Sequence, residues 1–530
     1  MSEVHAQRTV SQGSRTKGLS ILTLVLVGLA AWAPKIPSAS PFWFDDYNYI
    51  DWSYGQQLRF HPALYLPSAG EHRPLGRDLI TLLLRIFGED PDSFHSVQLG
   101  VHIVNAVLVW CLLFSLTRAS LPALAGAGLL LLSPSAYHPI LWTATIFDLV
   151  STTFSVGALL AIVRAVRSAR AGPAAGWFLL SLFMVLAAAK LKEDRVVLAP
   201  VLVLFVLLFG VSWHRILLWL PIPTGPQGKS EEHPGPPGRH LLEGAWLVVA
   251  TALTALLVLS LGSPVRQAVR PEDHYFVSLS MPTVTRSFAY YLSLLFPWPR
   301  VGLFWWPEPG TSRGLLSVST ATLILVPLAM GLRLCSRLIL FGWAWYLAFL
   351  LPPSLLVNHY ELLYYPYTAV AGASMVVAGL LHAAAAGSKG RGTESIWPLL
   401  FMVVLTGLSL LWLYEGAVPR WHENIHARDR QMLAEIKRAL PALPSGCEVV
   451  LAIPVLNPFS HDAGPVLRVL YHDPSLRGRL FQQVDEATAY RQGLSGQGVL
   501  LIWEGERFRM ADTPDGALRC GFLAPASHPL

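Results

Sequence analysis

The chain has 530 residues, of which 53% are hydrophobic and only 14% charged, with a net charge of +6. Soluble domains carry about 25% charged residues, so with a mean hydropathy of +0.47 an ordinary soluble protein is excluded. The composition implies an all-α polytopic membrane protein; the modest positive charge is no nucleic-acid signal, and no nucleic-acid module is present.

In chain order, uncharged windows long enough to span lie near 18–34, 96–117, 120–140, 149–163, 171–189 and 196–213. Further windows lie near 244–263, 315–332, 338–357, 364–386 and 396–414. The length criterion thus predicts about eleven helices. The 120–163 region is broken by "SPSAYHPILWTATIFD", with two prolines and a buried-looking Asp148. The first segment, "GLSILTLVLVGLAAWAP", reads as a retained helix, with Ser38-Ala39-Ser40 keeping a cleavage site open. Eighteen Trp and sixteen Tyr suit a chain with many membrane–water interfaces.

Orientation follows from Lys and Arg. If Arg8, Arg15 and Lys17 are inside, the alternate short loops carry Arg118, then Arg164, Arg167 and Arg170, then Arg333 and Arg337, then Lys389 and Arg391. Each is basic and acid-poor. The exception is "GKSEEHPGPPGRH", a Pro/Gly-rich linker with Lys229 and Arg239. The outside connections are then 35–95, the turn at 134–148, "AKLKEDR", a stretch from 264 to 313, "NHYELLYYPY" and everything after about 415. Within the stretch from 264, "FAYYLSLLFPWPRVGLFWWPEPG" is too short and proline-broken to span, and is expected to lie in the interface or dip into it.

From about 420 the composition becomes that of a soluble domain. "ENIHARDRQMLAEIKRAL" predicts an amphipathic helix, "CEVVLAIP" a buried strand, and "GVLLIWEGERFRMAD" a hairpin turning at Glu504-Gly505-Glu506. The division is therefore a cytoplasmic N-terminus (1–17), a transmembrane body (18–415) and a small extracytoplasmic α/β domain (416–530). Cys447 and Cys520 both fall in that domain, and a disulfide between them is plausible if it faces an oxidising compartment. Cys111 and Cys335 lie in or beside spans and read as packing residues.

The chemistry-bearing residues cluster on the outer side. "PFWFDDYNYIDWSYGQQ" places Asp45 and Asp46 among aromatics just after the first span. One carboxylate of such a pair can take a proton from an attacking hydroxyl while its neighbour holds the network in place. The pair could instead hold a divalent cation, or be solvated interface acids. Basic residues should be scarce outside, yet His72, Arg73, Lys190, Lys192 and Arg195 stand there, with Glu193 and Asp194 among them. A bound anion, phosphate first, is one reading; neutralisation of Glu193 and Asp194 by Lys190 or Lys192 is the other. His138 and His102 read as hydrogen-bonded packing residues. In the fifth outer loop stand His359, Tyr360, Glu361, Tyr364 and Tyr365, an interface belt whose rings also suit sugar stacking.

A first helix followed by an outer acid pair, "FWFDDYNYID", resembles the GT-C membrane glycosyltransferases. More narrowly, "HRPLGRDLITLLLRIFGEDPDSFHSVQLGVHIVNAVLVWCLL", "HPILWTATIFDLVS", "KEDRVVLAPVLVL", "YYLSLLFPW" and "YELLYYPYTAVAGAS" resemble, in order, the transmembrane O-mannosyltransferases with tetratricopeptide repeats and their bacterial relatives. The similarity covers roughly 20–415. It implies a GT-C-like fold, a polyprenyl-phosphate sugar donor cleaved on the outer face, and no nucleotide-binding loop. It also implies Asp45 or Asp46 as general base or acceptor-orienting acid, and Lys192, Glu193 and Arg73 near the donor phosphate. His72, His138, Asp148, Lys190, Arg195, His359, Tyr360, Glu361 and Tyr364 complete the expected donor and substrate surface. No cofactor is required, although a divalent cation on Asp45 and Asp46 would suit the chemistry. Two departures stand out: Ile146 and Phe147 occupy the place of the family's Arg before the turn Asp, and the C-terminal repeats are replaced, so the acceptor (glycan, lipid or protein) stays open.

The leading expectation is an inverting glycosyltransferase of a membrane, bacterial by its Ala/Leu/Arg-rich composition. The alternative is a flippase or transporter of a lipid-linked sugar, which would need ionisable residues inside the spans.

Overall fold

The structure, a computed structural model, describes residues 2–38, 42–43, 45–57, 59, 73–168, 170–210, 277, 280–295, 330, 336–356, 363–387, 396–453, 462–494 and 498–511. Among them six helices are long and apolar enough to cross a membrane: Thr16–Pro37, Pro91–Thr117, Thr143–Arg167, Gly172–Leu191, Tyr367–Ala385 and Trp397–Glu415. A seventh span results if Ser120–Leu132 and Pro134–Leu141, bent by 51°, count as one. The break is local chemistry: Ser133 is extended before Pro134, which has no N–H to continue the ladder. Of the other expected windows, 244–263 lies outside the described residues, as does 315–332 apart from Met330. The one near 196–213 forms α-helix Leu198–Phe205 and a π-turn Val206–Gly210. The one near 338–357 forms helix Arg337–Ser354, ending at Pro352 and Pro353. The fold is thus that of a mostly helical, polytopic membrane protein with a small C-terminal sheet.

Lipid offers no hydrophobic drive between helices, so close backbone approach matters. A Cβ built at Gly342 would lie 2.6 Å from the Gly372 carbonyl, and one at Gly372 2.5 Å from that of Gly342. Helices Arg337–Ser354 and Tyr367–Gly387 touch there backbone to backbone. Leu19, Leu22, Leu26 and Leu29, spaced three and four apart on the first helix, stay exposed, as a lipid-facing stripe should. Within the stretch from 264, helix Met281–Ser293 has 13 residues, too few to span, and its Tyr291 and Leu292 enter the main core.

Outside the spans, the labels α1 to α3 denote Asp45–Gly55, Pro74–Phe87 and Ala417–Ala439. Beyond α3 come β1 (Glu448–Ala452), α4 (Gly464–Tyr471), β2 (Arg477–Phe481), α5 (Val484–Gly493), β3 (Gly498–Trp503) and β4 (Phe508–Met510). Sheet order is β2-β1-β3-β4, with β1 parallel to β2 and β3, and β4 antiparallel to β3. Central parallel strands are covered on both faces, which explains the unbroken apolar runs "VVLA" and "VLLIW". The expected hairpin turns through Gly505 at φ +94°, with Glu504 N–H donating to the Arg507 carbonyl at 2.9 Å.

Alternation splits the sheet between two cores. Val450, Ala452, Leu500 and Ile502 face Ala487 of α5. Val449, Leu451, Val499 and Leu501 face the other way, into a core that also contains Met432 and Ile436 of α3 and Val466 of α4. That core continues into Tyr47 and Ile50 of α1, Ile80 and Leu84 of α2, and Ile146 and Phe147. The loop carrying the acid pair and the C-terminal sheet therefore share one apolar core. Ion pairs stitch the same junction: Arg468 holds Asp51 through two 2.8 Å hydrogen bonds, and Lys35 lies 2.8 Å from Glu423.

Candidate functional site

Asp45 and Asp46 open α1, where free N–H groups favour acids. Consecutive helical residues point about 100° apart, and the two acids part company accordingly. Asp45 is exposed; Asp46 is 1% exposed. Asp46 accepts from the Trp43 N–H at 2.8 Å and, across 98 residues, from the Ala144 N–H at 2.6 Å. Burial pushes its carboxyl up to about 8, opposed by those two N–H groups and aided by the neighbouring Asp45 charge.

The same stretch that binds Asp46 leads into a second cluster four residues later. Asp148 in the first turn of helix Ile146–Arg167 is buried, paired with Lys192 Nζ and with Arg195 Nη2, the latter at 2.9 Å. Arg195, 0% exposed, also donates to Ser151 Oγ at 2.9 Å and lies 3.0 Å from Asp194. At the rim, Arg73 forks onto Glu193 with Nε–Oε2 at 2.8 Å and Nη2–Oε1 at 2.5 Å. Arg73 takes the left-handed conformation (φ 57°) just before Pro74, at a cost of about 1–2 kcal/mol. Against the cost of burial, the Arg73 guanidinium holds the Glu193 carboxyl well below the usual range.

Aromatic rings join the two clusters. Trp142 lies 5.1 Å from Trp43 and 5.5 Å from Tyr364, and Lys192 Nζ sits 4.7 Å over the Tyr364 ring. His138 is buried beside Trp142 and Tyr364, and its carbonyl accepts from Thr145 Oγ1 at 2.8 Å. The expected site residues Asp45, Asp46, Arg73, His138, Asp148, Lys192, Glu193, Arg195 and Tyr364 thus belong to one connected region. Lys190 is half-buried and forms no ion pair among the described residues. His72, His359, Tyr360 and Glu361 lie outside the described residues, as does Cys520; Cys447 is buried just before β1.

One alternative needs correction. Glu193 and Asp194 are not neutralised by Lys190 or Lys192: Arg73 takes Glu193, Arg195 lies 3.0 Å from Asp194, and Lys192 reaches Asp148. Phe147, which with Ile146 stands in place of an Arg before Asp148, serves packing: its ring fills the space beside Gly76 and lies 5.0 Å from Tyr49. Each Asp46 oxygen accepts one backbone N–H, and among the described residues no three His, Cys, Asp or Glu side chains converge on a metal position.

Two residues escaped the sequence reading. His426 and Asp429 of α3 are 4% and 0% exposed, with the His426 ring 5.3 Å from Trp43. The available signal was their place on the apolar stripe of α3, three residues apart and followed by Met432, Leu433 and Ile436.

Neither a family model nor a curated protein matches the sequence. Among solved structures, the chain is similar to the apo oligosaccharyltransferase of Archaeoglobus fulgidus, with 13% identity and a TM-score of 0.49 over 89% of this chain and 65% of that one. It is also similar to ArnT from Cupriavidus metallidurans bound to undecaprenyl phosphate, with 14% identity and a TM-score of 0.46 over 94% of each chain. At that identity the likeness assigns no role to any residue. The chain spans less than two thirds of the oligosaccharyltransferase's length.

Proposed function

We propose that the chain is an integral-membrane glycosyltransferase that moves a sugar from a polyprenyl-phosphate donor to an acceptor hydroxyl on the extracytoplasmic face. In this reading residues 18–415 form the catalytic body of a GT-C-like enzyme, with residues 1–17 cytoplasmic, 416–530 extracytoplasmic, and the bacterial inner membrane as the setting. The motif order and the Lys/Arg asymmetry support it, but one observation carries it. An exposed acid, Asp45, is mounted on a buried acid, Asp46, through whose Ala144 bond it is tied to the turn leading to the Arg73–Glu193 and Lys192–Asp148 cluster.

The roles then divide. Asp45 takes the proton of the acceptor hydroxyl as its oxygen bonds to the anomeric carbon. The bond from that carbon to the phosphate oxygen breaks, and polyprenyl phosphate leaves as a monoester anion, with inversion at the carbon. Asp46 fixes the first turn of α1 and so the position of Asp45. Arg73, with its side chain 22% exposed, is the cation suited to exchange Glu193 for the donor phosphate; an Arg fork fits either anion. Lys192 and Arg195 are buried on Asp148 and hold the turn that carries Ala144 and Trp142. Without a base the hydroxyl attacks far more slowly, by about 10²–10⁴-fold.

The test is turnover of a panel of polyprenyl-phosphate sugars by purified protein with a membrane extract as acceptor source. Free polyprenyl phosphate, followed by mass spectrometry, is expected from the wild type and not from Asp45→Asn. Equal release by both removes Asp45 from the chemistry. Movement of the donor between leaflets without release favours the flippase.

A further inference from the structure

The C-terminal helix α3 buries a regular stripe: His426, Asp429, Met432, Leu433, Ile436 and, past its end, Leu440. From Met432 onward, Met432, Leu433, Ile436 and Leu440 of the stripe enter the shared core, with Glu435 buried beside them and paired to Arg438. Its first two positions are ionisable instead, and burial of such groups is costly unless something answers them. What they meet is Trp43. The His426 ring lies 5.3 Å from the Trp43 indole, tilted 52°, and Ile425 packs on the same aromatic cluster. Asp429 is fully buried one turn further along α3, with the Trp43 indole beside its carboxylate. Neither Asp429 oxygen forms a hydrogen bond with a described group.

Trp43 in turn holds Asp46 through both its backbone groups. Its N–H donates to Asp46 Oδ2 at 2.8 Å, and its carbonyl accepts the Asp46 N–H at 3.0 Å. That carbonyl also accepts from Trp142 Nε1 at 3.3 Å, and the two indoles lie 5.1 Å apart. A side chain that fixes the Trp43 ring from above therefore fixes the backbone that orients Asp46 and, one residue before it, Asp45. Apolar residues at 426 and 429 would serve packing alone; two buried polar groups facing one ring serve orientation.

We propose that His426 and Asp429 of the C-terminal domain are positioning residues of the acid loop, acting through Trp43. The C-terminal domain is then part of the working site rather than only a platform for acceptors. The kinetic half of the inference rests on the proposed transferase reading; the structural half does not.

The test uses the full-length protein in nanodiscs, with Asp429→Asn (isosteric), Asp429→Glu, His426→Ala and Trp43→Phe, which keeps a ring and loses the indole N–H. Hydrogen exchange read by mass spectrometry should rise about tenfold in peptides covering 42–50 for Asp429→Asn and Trp43→Phe. Amides of β1 and β3 should stay unchanged. The Asp429→Asn/Trp43→Phe double variant should rise no further than either single variant, because both remove the same contact. Where wild type turns over, kcat should fall about ten- to a hundredfold with the donor KM within about twofold, and Asp429→Glu should recover most of it. Unchanged exchange at 42–50 overturns the proposal, as does a uniform rise across the sheet, which would make Asp429 a folding residue only. Additive double-variant effects overturn the route through Trp43. If wild type releases no polyprenyl phosphate from any donor, the transferase reading fails while the exchange result still decides the positioning. If Asp45→Asn is dead and Asp429→Asn is fully active, the reading stands and the proposal falls.

Discussion

The two acid-bearing regions solve the same problem by opposite means. Asp46 is satisfied by neutral donors, two backbone N–H groups, beside the Trp43 and Trp142 indoles, on which Ile425 of the C-terminal segment packs. Asp148 is satisfied by full charges, Lys192 and Arg195, wholly within the helical body. Backbone donors fix direction and leave the carboxyl's charge state adjustable; buried cations fix the charge and resist change. The first arrangement suits a mount that must aim its neighbour, and the second a strut that must not move. Each substitution below tests that division.

Removing the strut should have the largest effect. Asp148→Ala leaves Lys192 and Arg195 buried without their carboxylate, which costs about 3–5 kcal/mol when a buried pair loses one partner. We expect loss of most folded protein in detergent, read by thermal unfolding and size exclusion. If charge balance is the cause, Asp148→Leu with Lys192→Met and Arg195→Met should recover the fold, since well-packed apolar replacements are often neutral or stabilising. A triple variant as unstable as the single one would show that Asp148 does more than balance charge.

The acid loop should respond unequally at its two residues. Asp46→Asn turns one acceptor oxygen into an NH2 group facing an N–H, which should cost about 1–3 kcal/mol and most of the turnover. Asp45→Asn should abolish turnover while leaving stability within about 0.5 kcal/mol, as expected at an exposed position. Equal destabilisation by both would collapse the distinction between an exposed and a mounted acid.

Much of this was legible in the sequence. The strand, the hairpin with its glycine and the amphipathic helix follow from local period and turn chemistry, and each appears where the pattern places it. That Asp45 and Asp46 lie outside the spans follows from length alone. What could not be read is non-local. Ala144 reaches Asp46 across 98 residues and Arg468 reaches Asp51 across 417, and no spacing rule carries that information. His426 and Asp429 were visible only as ionisable residues on an otherwise apolar stripe, which a helix assignment alone passes over.

A smaller effect comes from pH. Burial raises Asp46 to about 8 and Asp429 to about 7, both above the usual 3.8. Each therefore binds a proton in the folded chain over a range where the unfolded chain has released it. Stability from these groups is fullest below the ordinary carboxylate value and declines as pH rises towards 7 for Asp429 and 8 for Asp46, levelling above. The midpoint of thermal unfolding should fall between pH 5 and 8, with a shallower slope in Asp46→Asn; an unchanged slope would mean that the two backbone donors outweigh burial.

The smallest expected effect tests whether the C-terminal sheet is held by its core or by its surface pairs. Arg468 and Asp51 form a bidentate pair, but their side chains remain 24% and 22% exposed, so solvent screens the attraction. Such a pair is worth about 1 kcal/mol or less, whereas the shared core contributes Tyr47, Ile50 and Ile80 on one side and Val449, Val466 and Leu467 on the other. A double-mutant cycle with Arg468→Ala and Asp51→Ala, read by thermal unfolding, should return a coupling of that small size that weakens in high salt. Exchange of the 42–50 amides should barely change, because Trp43 is held from α3 and not from α4. If Arg468→Ala alone loosened those amides as much as Asp429→Asn, the clamp on the acid pair would run through the surface ion pair. The aromatic contact would then be secondary.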